Sequence, residues 1–384
     1  MRIHRKPLRA LAGLLLFLLG ASAAAAASAE YFVYIGTYTR TRGKGIYTFR
    51  FRPATGTLTA PSLAAETSSP SFLAVHPSKK FLYAENEHEG PDVAGKNNTV
   101  SAFAINPHTG ALTFLNKVSS RGEGPAHIAL DKAGKALLAA NYRSGSVALL
   151  PILADGRLGE ATGFDQHHGA SPTEVTHAHG AAFSPDNRFA LVADTGIGEV
   201  TIYRYDRSKG AITPNNPPFF RANPGAGPRH LAFHPNGRIL YALNEAGSSI
   251  TVLAYGAAGG TMSRIQELTT LRPGFSGTSA TAQIQVDRAG RFLYASNRGA
   301  DNIAVFAIDP AKGTLTLVEH VSTQGKTPRD FSLDPTGGYL FAANQNSDTI
   351  VLFRVDPKTG RLTPAGQVVE HVPEPTCVVF VPVR

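Results

Sequence analysis

The sequence predicts an all-β protein, a seven-bladed β-propeller with four antiparallel strands per blade. Three observations carry that expectation: a repeat of fixed internal spacing, turn residues at constant positions within it, and two chain ends that together complete one further copy. Segments starting at Pro70, Pro125, Ala178, Pro228, Thr281 and Pro328 superpose without gaps for seventeen residues, and Pro375 opens a shorter seventh. Consecutive starts lie 47 to 55 residues apart, the length of a four-stranded propeller blade. A β-helix or open solenoid would need shorter repeats and capping units.

Each copy justifies its strands in order. Apolar residues stand three and five positions after the start, as in Leu73 and Val75, Ile128 and Leu130, Leu231 and Phe233, and Phe331 and Leu333. That alternation predicts a half-buried first strand. A turn follows at the seventh to ninth positions, where Pro77, Pro185, Pro235 and Pro335 lead into residues such as Gly237 and Gly337, which accept the positive φ of a tight turn. A second strand ends sixteen positions after the start, on Asn86, Asn141, Asp194, Asn244, Asn297 and Asn344. The third begins five residues later, at Ser146, Glu199, Ser249, Asn302 and Thr349, and a Gly-x-Leu/Ile hairpin such as Gly360-Arg361-Leu362 leads to the fourth. In the last blade, Pro375-Thr376-Cys377-Val378-Val379-Phe380 is the first strand, while residues 31–37 and 45–51 are the second and third. Pairing the two ends closes the ring and removes most free edges.

Composition narrows the function classes. The single cysteine, Cys377, excludes an intrachain disulfide and a Cys-based zinc or iron–sulfur site; it reads as a small buried hydrophobe. Four of the nine excess positive charges fall in the first 29 residues, leaving +5, and no basic aromatic platform recurs, so nucleic acid is not an expected partner. Those first residues read as a secretory signal: Arg2, Arg5, Lys6 and Arg9, an apolar run over 11–19, then Ala27-Ser28-Ala29 before Glu30. The expected organisation is a signal peptide over 1–29 and one propeller domain over 30–384, a monomer, periplasmic or secreted, without membrane attachment once cleaved. Asn97-Asn98-Thr99 is a formal glycosylation sequon, and the acidic stretch Glu85-Asn86-Glu87-His88-Glu89 reads as a solvated loop.

In an antiparallel blade the start of strand one and the end of strand two share one face of the ring. The longest departures from the period, at 87–98, 164–176 and 269–280, all fall on that face, and loops on a rigid scaffold are where function concentrates. The residues just after each repeat start and just after the sixteenth position put His179, Arg229, Arg329, Arg298, Glu245 and Glu87 around one mouth, with His127, His230 and Asp330 one position further on. Arginine forks suit a small anionic or polyhydroxylated ligand, and a carboxylate or imidazole can move protons. The bland alternative is a solvated rim of charges paired with each other, Arg229 with Glu245 above all. His167-His168 and His177-x-His179 lack a third ligand at fixed spacing, so neither a metal nor another cofactor is expected.

Several stretches also resemble a known family: Tyr34-Ile35-Gly36-Thr37-Tyr38-Thr39, Gly227-Pro228-Arg229-His230 with Leu243-Asn244-Glu245, Tyr294-Ala295-Ser296-Asn297-Arg298-Gly299, and Pro328-Arg329-Asp330-Phe331 with Ala343-Asn344-Gln345-Asn346. They are similar to the seven-bladed lactonases, which include propeller-type 6-phosphogluconolactonases and the fungal carboxy-cis,cis-muconate cyclase. The resemblance implies sugar-lactone hydrolysis, with His179, Arg229, Glu245 and Arg298 at the positions proposed for the family's site. Glu245 or His179 would then be the general base and Arg229 the oxyanion donor. Arg298 and Arg329 would bind phosphate, carboxylate or hydroxyls beside His127, His230 and Glu87. Where relatives carry Ala-Glu-Ile, this chain has Ala282-Gln283-Ile284, an amide that cannot transfer a proton as a carboxylate would. A lactonising cyclase acting on an unsaturated dicarboxylate and a non-catalytic exported binding propeller are the alternatives.

Overall fold

The computed structural model describes residues 29–87 and 99–384. The leader up to residue 28, most of the 87–98 loop, and Asn97 and Asn98 of the sequon lie outside them. Among the described residues, 29 strands build seven antiparallel sheets. The innermost strands are Leu73–Val75, Pro125–Leu130, Ala178–Phe183, Pro228–Phe233, Ala280–Val286, Pro328–Leu333 and Pro375–Pro382. Each touches the next and the last touches the first, so the ring is closed.

Closure follows the expected pairing. Pro375–Pro382 runs antiparallel to Tyr31–Thr37, from Tyr31 opposite Pro382 to Thr37 opposite Pro375. The closing blade departs from four strands in one respect. Its outer edge is split into Thr57–Leu58 and Ser62–Glu66, both paired with Gly45–Arg52, and Pro61 between them has no N–H to offer a ladder.

The core is distributed rather than central. Seven apolar clusters sit one at each junction between neighbouring blades, because both faces of every sheet must be covered. Two devices lock these junctions. Tyr34, Tyr83, Tyr241 and Tyr294, all at one repeat position in second strands, donate across to the hairpin carbonyls of Gly110, Gly156, Gly313 and Gly360 in the next blade, at 2.7 to 3.0 Å. The asparagines at the sixteenth position are wholly buried and donate to the incoming crossing or to the third strand: Asn141 to Ser120 O, Asn297 to Thr270 O, Asn344 to Thr323 O. Glu85 and Asn86 share this burial, ending the strand Phe81–Asn86. The expectation of a solvated acidic loop therefore fails for these two residues, whose positions are fixed by the strand register.

A one-residue bulge recurs at the start of the first strands. Pairing slips at the residue after the repeat start, at Ala126, His179, Arg229, Arg329 and Thr376. A bulged residue leaves the ladder and its side chain is re-aimed. The residue before the start has positive φ at Ser69, Gly124, Gly227, Thr327 and Glu374, and its carbonyl accepts the N–H of the mouth residue that follows the second strand, as in Gly227 O from Glu245 N at 2.7 Å.

Both closure and locking are testable. A chain ending before Pro375 leaves the Tyr31–Thr37 edge open and is expected to aggregate rather than elute as a folded monomer on size exclusion. Tyr294→Phe strands the Gly360 carbonyl and is expected to lower unfolding free energy by about 1 kcal/mol, read by urea titration.

Candidate functional site

The bulges and the residues after the second strands converge on a cavity of about 250 Å³ at one mouth of the ring. It is lined by Tyr38, Arg40, Glu87, Ala126, Tyr142, His179, Glu245, Arg298, Arg329 and Gln345. Of the residues expected from the sequence, Glu87, His179, Glu245, Arg298 and Arg329 meet here. Arg229, His230 and His127 do not line it and form the layer beneath.

Two carboxylates organise the arginines. Glu245 Oε1 accepts from Arg298 at 2.6 Å, and Glu245 Oε2 lies 3.1 Å from Arg229 Nε. Burial alone would raise the Glu245 carboxyl, but Arg229, Arg298 and Arg329 overcome it and hold it below the ordinary range. Opposite, Glu87 Oε2 accepts from Tyr38 at 2.7 Å and from Ser71 at 2.5 Å, and lies 3.9 Å from Arg329. Arg40 and Arg329 also sit over the Tyr38 ring, at 4.0 and 5.1 Å. Ser71 Oγ also meets the buried Glu85; burial and then the Glu87 charge push that carboxyl well above its usual range, so it can donate its proton to Ser71 while the single Ser71 proton serves Glu87.

The sequence expectation put Arg229 at the reacting atoms; the structure puts it behind Glu245. Its guanidinium donates to the Ala282 carbonyl and to His230 Nε2, and the side chain is 3% exposed. Burial lowers it to about 9, with Glu245 resisting, so it stays cationic at neutral pH. Because an arginine only donates, His230 Nε2 is an acceptor and its Nδ1 proton goes to Gln283 Oε1 at 3.0 Å. Gln283 in turn donates through Nε2 to Asp330, whose other oxygen accepts from Val378 N at 2.7 Å. Gln283 thus works as a two-ended hydrogen-bonding bridge.

His179 differs from its neighbours. It makes no hydrogen bond among the described residues, and its Nδ1 is buried without a partner. Its ring stands 5.6 Å from Tyr142 and 5.1 Å from His230. Burial first, then Arg229, His230 and Arg329, hold its protonated form well below the usual histidine range. The same causes act on His230, and burial with Arg229 takes His127 to about 3. His127 packs against Phe72 with ring centres 4.0 Å apart and the planes tilted by 33°. The other histidine pairs have separate partners: His177 stacks on Tyr142 at 4.5 Å, and His167 bridges Asp194 and Tyr203.

Sequence reasoning missed Arg40, which stands outside the repeat register. It also missed the bulge itself, although the prolines at five starts are the signal, since proline in sheets is confined to strand starts, edges and bulges.

The histidine layer gives the fold a pH dependence of known sign. Three imidazoles held neutral when folded take up protons on unfolding, so their contribution is present above the unfolded value near 6.5 and lost as pH falls below it. Asp330, raised to about 7 by burial against its hydrogen bonds, acts oppositely, its contribution present at low pH and lost as pH rises through 7. Urea midpoints are expected to fall from pH 7 to 5. Asp330→Asn should steepen that fall by about 1.4 kcal/mol per pH unit, one proton's worth; an unchanged slope would contradict the buried assignment.

Comparison with known proteins bears on this geometry. The family model described as "Lactonase, 7-bladed beta-propeller" matches residues 32–380. A 6-phosphogluconolactonase of Bacillus subtilis is 37% identical over 277 residues, covering 71% of this chain and 76% of that protein. A 6-phosphogluconolactonase of Pectobacterium atrosepticum is 33% identical over 284 residues, 73% of this chain and 79% of the relative. Among solved structures, the periplasmic gluconolactonase PpgL of Pseudomonas aeruginosa superposes with a TM-score of 0.86 at 33% identity, covering 92% of this chain and all of that one.

Proposed function

Because the chain belongs to the seven-bladed β-propeller lactonase family, we propose that it hydrolyses the ring ester of a sugar lactone at the arginine-lined mouth, using His179 to take the proton from water. The observation that carries this reading is the contrast between two bases in one cavity. Both Glu245 oxygens are occupied by arginines, whereas His179 is neutral and without a hydrogen-bond partner among the described residues.

Each remaining role follows from what a side chain is free to do. Among the described residues Arg329 holds a loose ion pair with Glu87 at 3.9 Å and sits over the Tyr38 ring, and although burial opposes it, Tyr38, Glu87 and Glu245 keep its guanidinium firmly protonated. It is therefore the cation best placed to receive the lactone carbonyl as negative charge develops there. Arg298 is fixed by Glu245 and by the Thr281 carbonyl at 2.8 Å, and so presents a positioned donor face to substrate oxygens. Arg229 is a positioning residue that holds Glu245, a change from the oxyanion role expected of it. Tyr142, Gln345 and Glu87 offer partners for ring hydroxyls.

The substrate we favour is a non-phosphorylated aldonolactone met outside the cytoplasm. Support comes from the basic and apolar N-terminal residues, read as an export signal that leaves the domain from 30 onward in the periplasm or medium, and from the likeness to a periplasmic gluconolactonase. The 250 Å³ cavity suits a single sugar ring.

Glucono-δ-lactone and its 6-phosphate are to be compared by the rate of acid release above the spontaneous rate. The unphosphorylated lactone is expected to have the higher kcat/KM. His179→Asn should cost about 10²- to 10⁴-fold in kcat, and the acid limb of wild-type kcat/KM should lie below 6.5, since burial keeps His179 deprotonated there. A wild-type rate equal to background defeats the reading; a normal rate in His179→Asn with loss in Glu245→Gln transfers the proton to Glu245.

A further inference from the structure

The ring has a second chamber. At the mouth opposite the arginine-lined cavity lies a larger one of about 490 Å³, and the two share no lining residue. Between them stands the filled layer of Phe72, His127, His230, Gln283 and Asp330, joined by the hydrogen bonds and ring contacts described above. None of the lower chamber's rim belongs to the machinery assigned to lactone hydrolysis.

Its chemistry is layered by depth. At the rim are Lys79 and Arg288, on the first-to-second-strand turns of two different blades. Burial lowers the Lys79 ammonium and the Arg288 charge lowers it further, so the two cations feel each other across the opening. No carboxylate among the described residues pairs with either. Arg288 donates to the Pro335 carbonyl, and the nearby Asp334 is consumed by Thr336 and the Tyr339 N–H. Below the rim the walls are mainly apolar, formed by Val75, Val379, Phe380 and Pro382, with Gln285 and Ser332 level with Val379 in the strand register. Deeper in the ring, two positions after their repeat starts, lie Gln283, the Asp330 carboxyl and the Cys377 thiol.

Two like charges held together at a rim are stabilised by an anion between them. A mainly apolar sleeve disfavours a purely polar one. The deeper amide and carboxyl then reward a hydroxyl or amide at the ligand's far end. From this order we propose that the lower chamber binds a small amphipathic monoanion, a carboxylate on an aromatic or aliphatic body ending in a hydroxyl, with its carboxylate between Lys79 and Arg288 and its hydroxyl at Gln283 and Asp330. This assignment is independent of the lactone reading, because it uses other residues at the other mouth.

The probe is 3-(4-hydroxyphenyl)propionate, titrated calorimetrically into the mature chain alongside its carboxamide and the ring-unsubstituted 3-phenylpropionate. Binding of the hydroxy acid is expected at micromolar to millimolar concentration, weakening as salt rises. The carboxamide, and separately the Lys79→Ala/Arg288→Ala double variant, should each bind about tenfold less tightly. The phenylpropionate should fall between. Arg288 is exposed and Lys79 is half-buried with no ion pair among the described residues, so the variant should keep a thermal midpoint close to wild type, and lactone turnover should be unchanged. Arg298→Ala, at the other mouth, should leave probe binding intact. The proposal is overturned by absence of binding at millimolar probe, by equal affinity for acid and amide, or by loss of binding in Arg298→Ala with retention in the double variant.

Discussion

The structure depends on a single backbone irregularity repeated around a ring. A regular first strand would alternate its side chains between the two sheet faces, both of which are buried at blade junctions. In five blades a one-residue bulge after the repeat start releases one side chain from that alternation, at the mouth. In four of these blades the residue before the start takes positive φ, which glycine meets without cost at Gly124 and Gly227 but which Thr327, β-branched, adopts under strain. Such strain persists only where surrounding structure over-determines it. Here the Gln345 N–H bonds the Thr327 carbonyl at 2.9 Å, so the second strand's end holds the turn that aims Arg329.

Concentrating charge at the mouth sets burial against Coulomb attraction, and the outcome differs residue by residue. For Glu245 three guanidiniums outweigh burial and the carboxylate stays ionised. For Glu85, fully buried with the like charge of Glu87 beside it, burial wins. For His179 both effects act in one direction, since burial and the neighbouring cations each disfavour a second proton. Breaking a buried pair leaves an uncompensated charge, which ties the Arg229–Glu245–Arg298 arrangement to stability as well as to chemistry. His179 is thus held neutral by burial first and by the neighbouring cations next, while acidic groups sit against the arginines.

The fold was legible in the sequence because each blade repeats the same requirements of periodicity and turn chemistry. The register at Pro70, Pro125, Pro228, Pro328 and Pro375 located the mouth, and Glu87, His179, Glu245, Arg298 and Arg329 follow from that register. Depth was not legible. His230 and Arg229 are adjacent in sequence, yet the bulge sends Arg229 sideways behind Glu245 while His230 re-enters the ladder opposite Leu243. A period of two cannot say which of two neighbours faces a cavity when the strand breaks its period between them. Arg40 was invisible for a different reason, since it lies in a loop that obeys no repeat, and Glu85 was misread because its acidic side chain suggests solvent although the repeat register places it inside the strand that ends on Asn86.

One departure from the repeat shows how strictly the buried positions are governed. Five second strands end in a buried asparagine, while the blade carrying His179 ends in Asp194. An asparagine amide can donate to a carbonyl, as Asn141, Asn297 and Asn344 do to their crossings; a carboxylate can only accept. The crossing before Asp194 is accordingly reversed in polarity. His167 there faces Asp194 Oδ2 at 2.7 Å, and the N–H groups of His177, Gly196 and Ile197 point at Oδ1. Fixing the His177 backbone in this way fixes the residue two positions on. His179 therefore stands in the one blade among these whose lock accepts hydrogen bonds instead of donating them, and the exchange of one side-chain atom type at a buried site reaches the mouth through two residues of backbone.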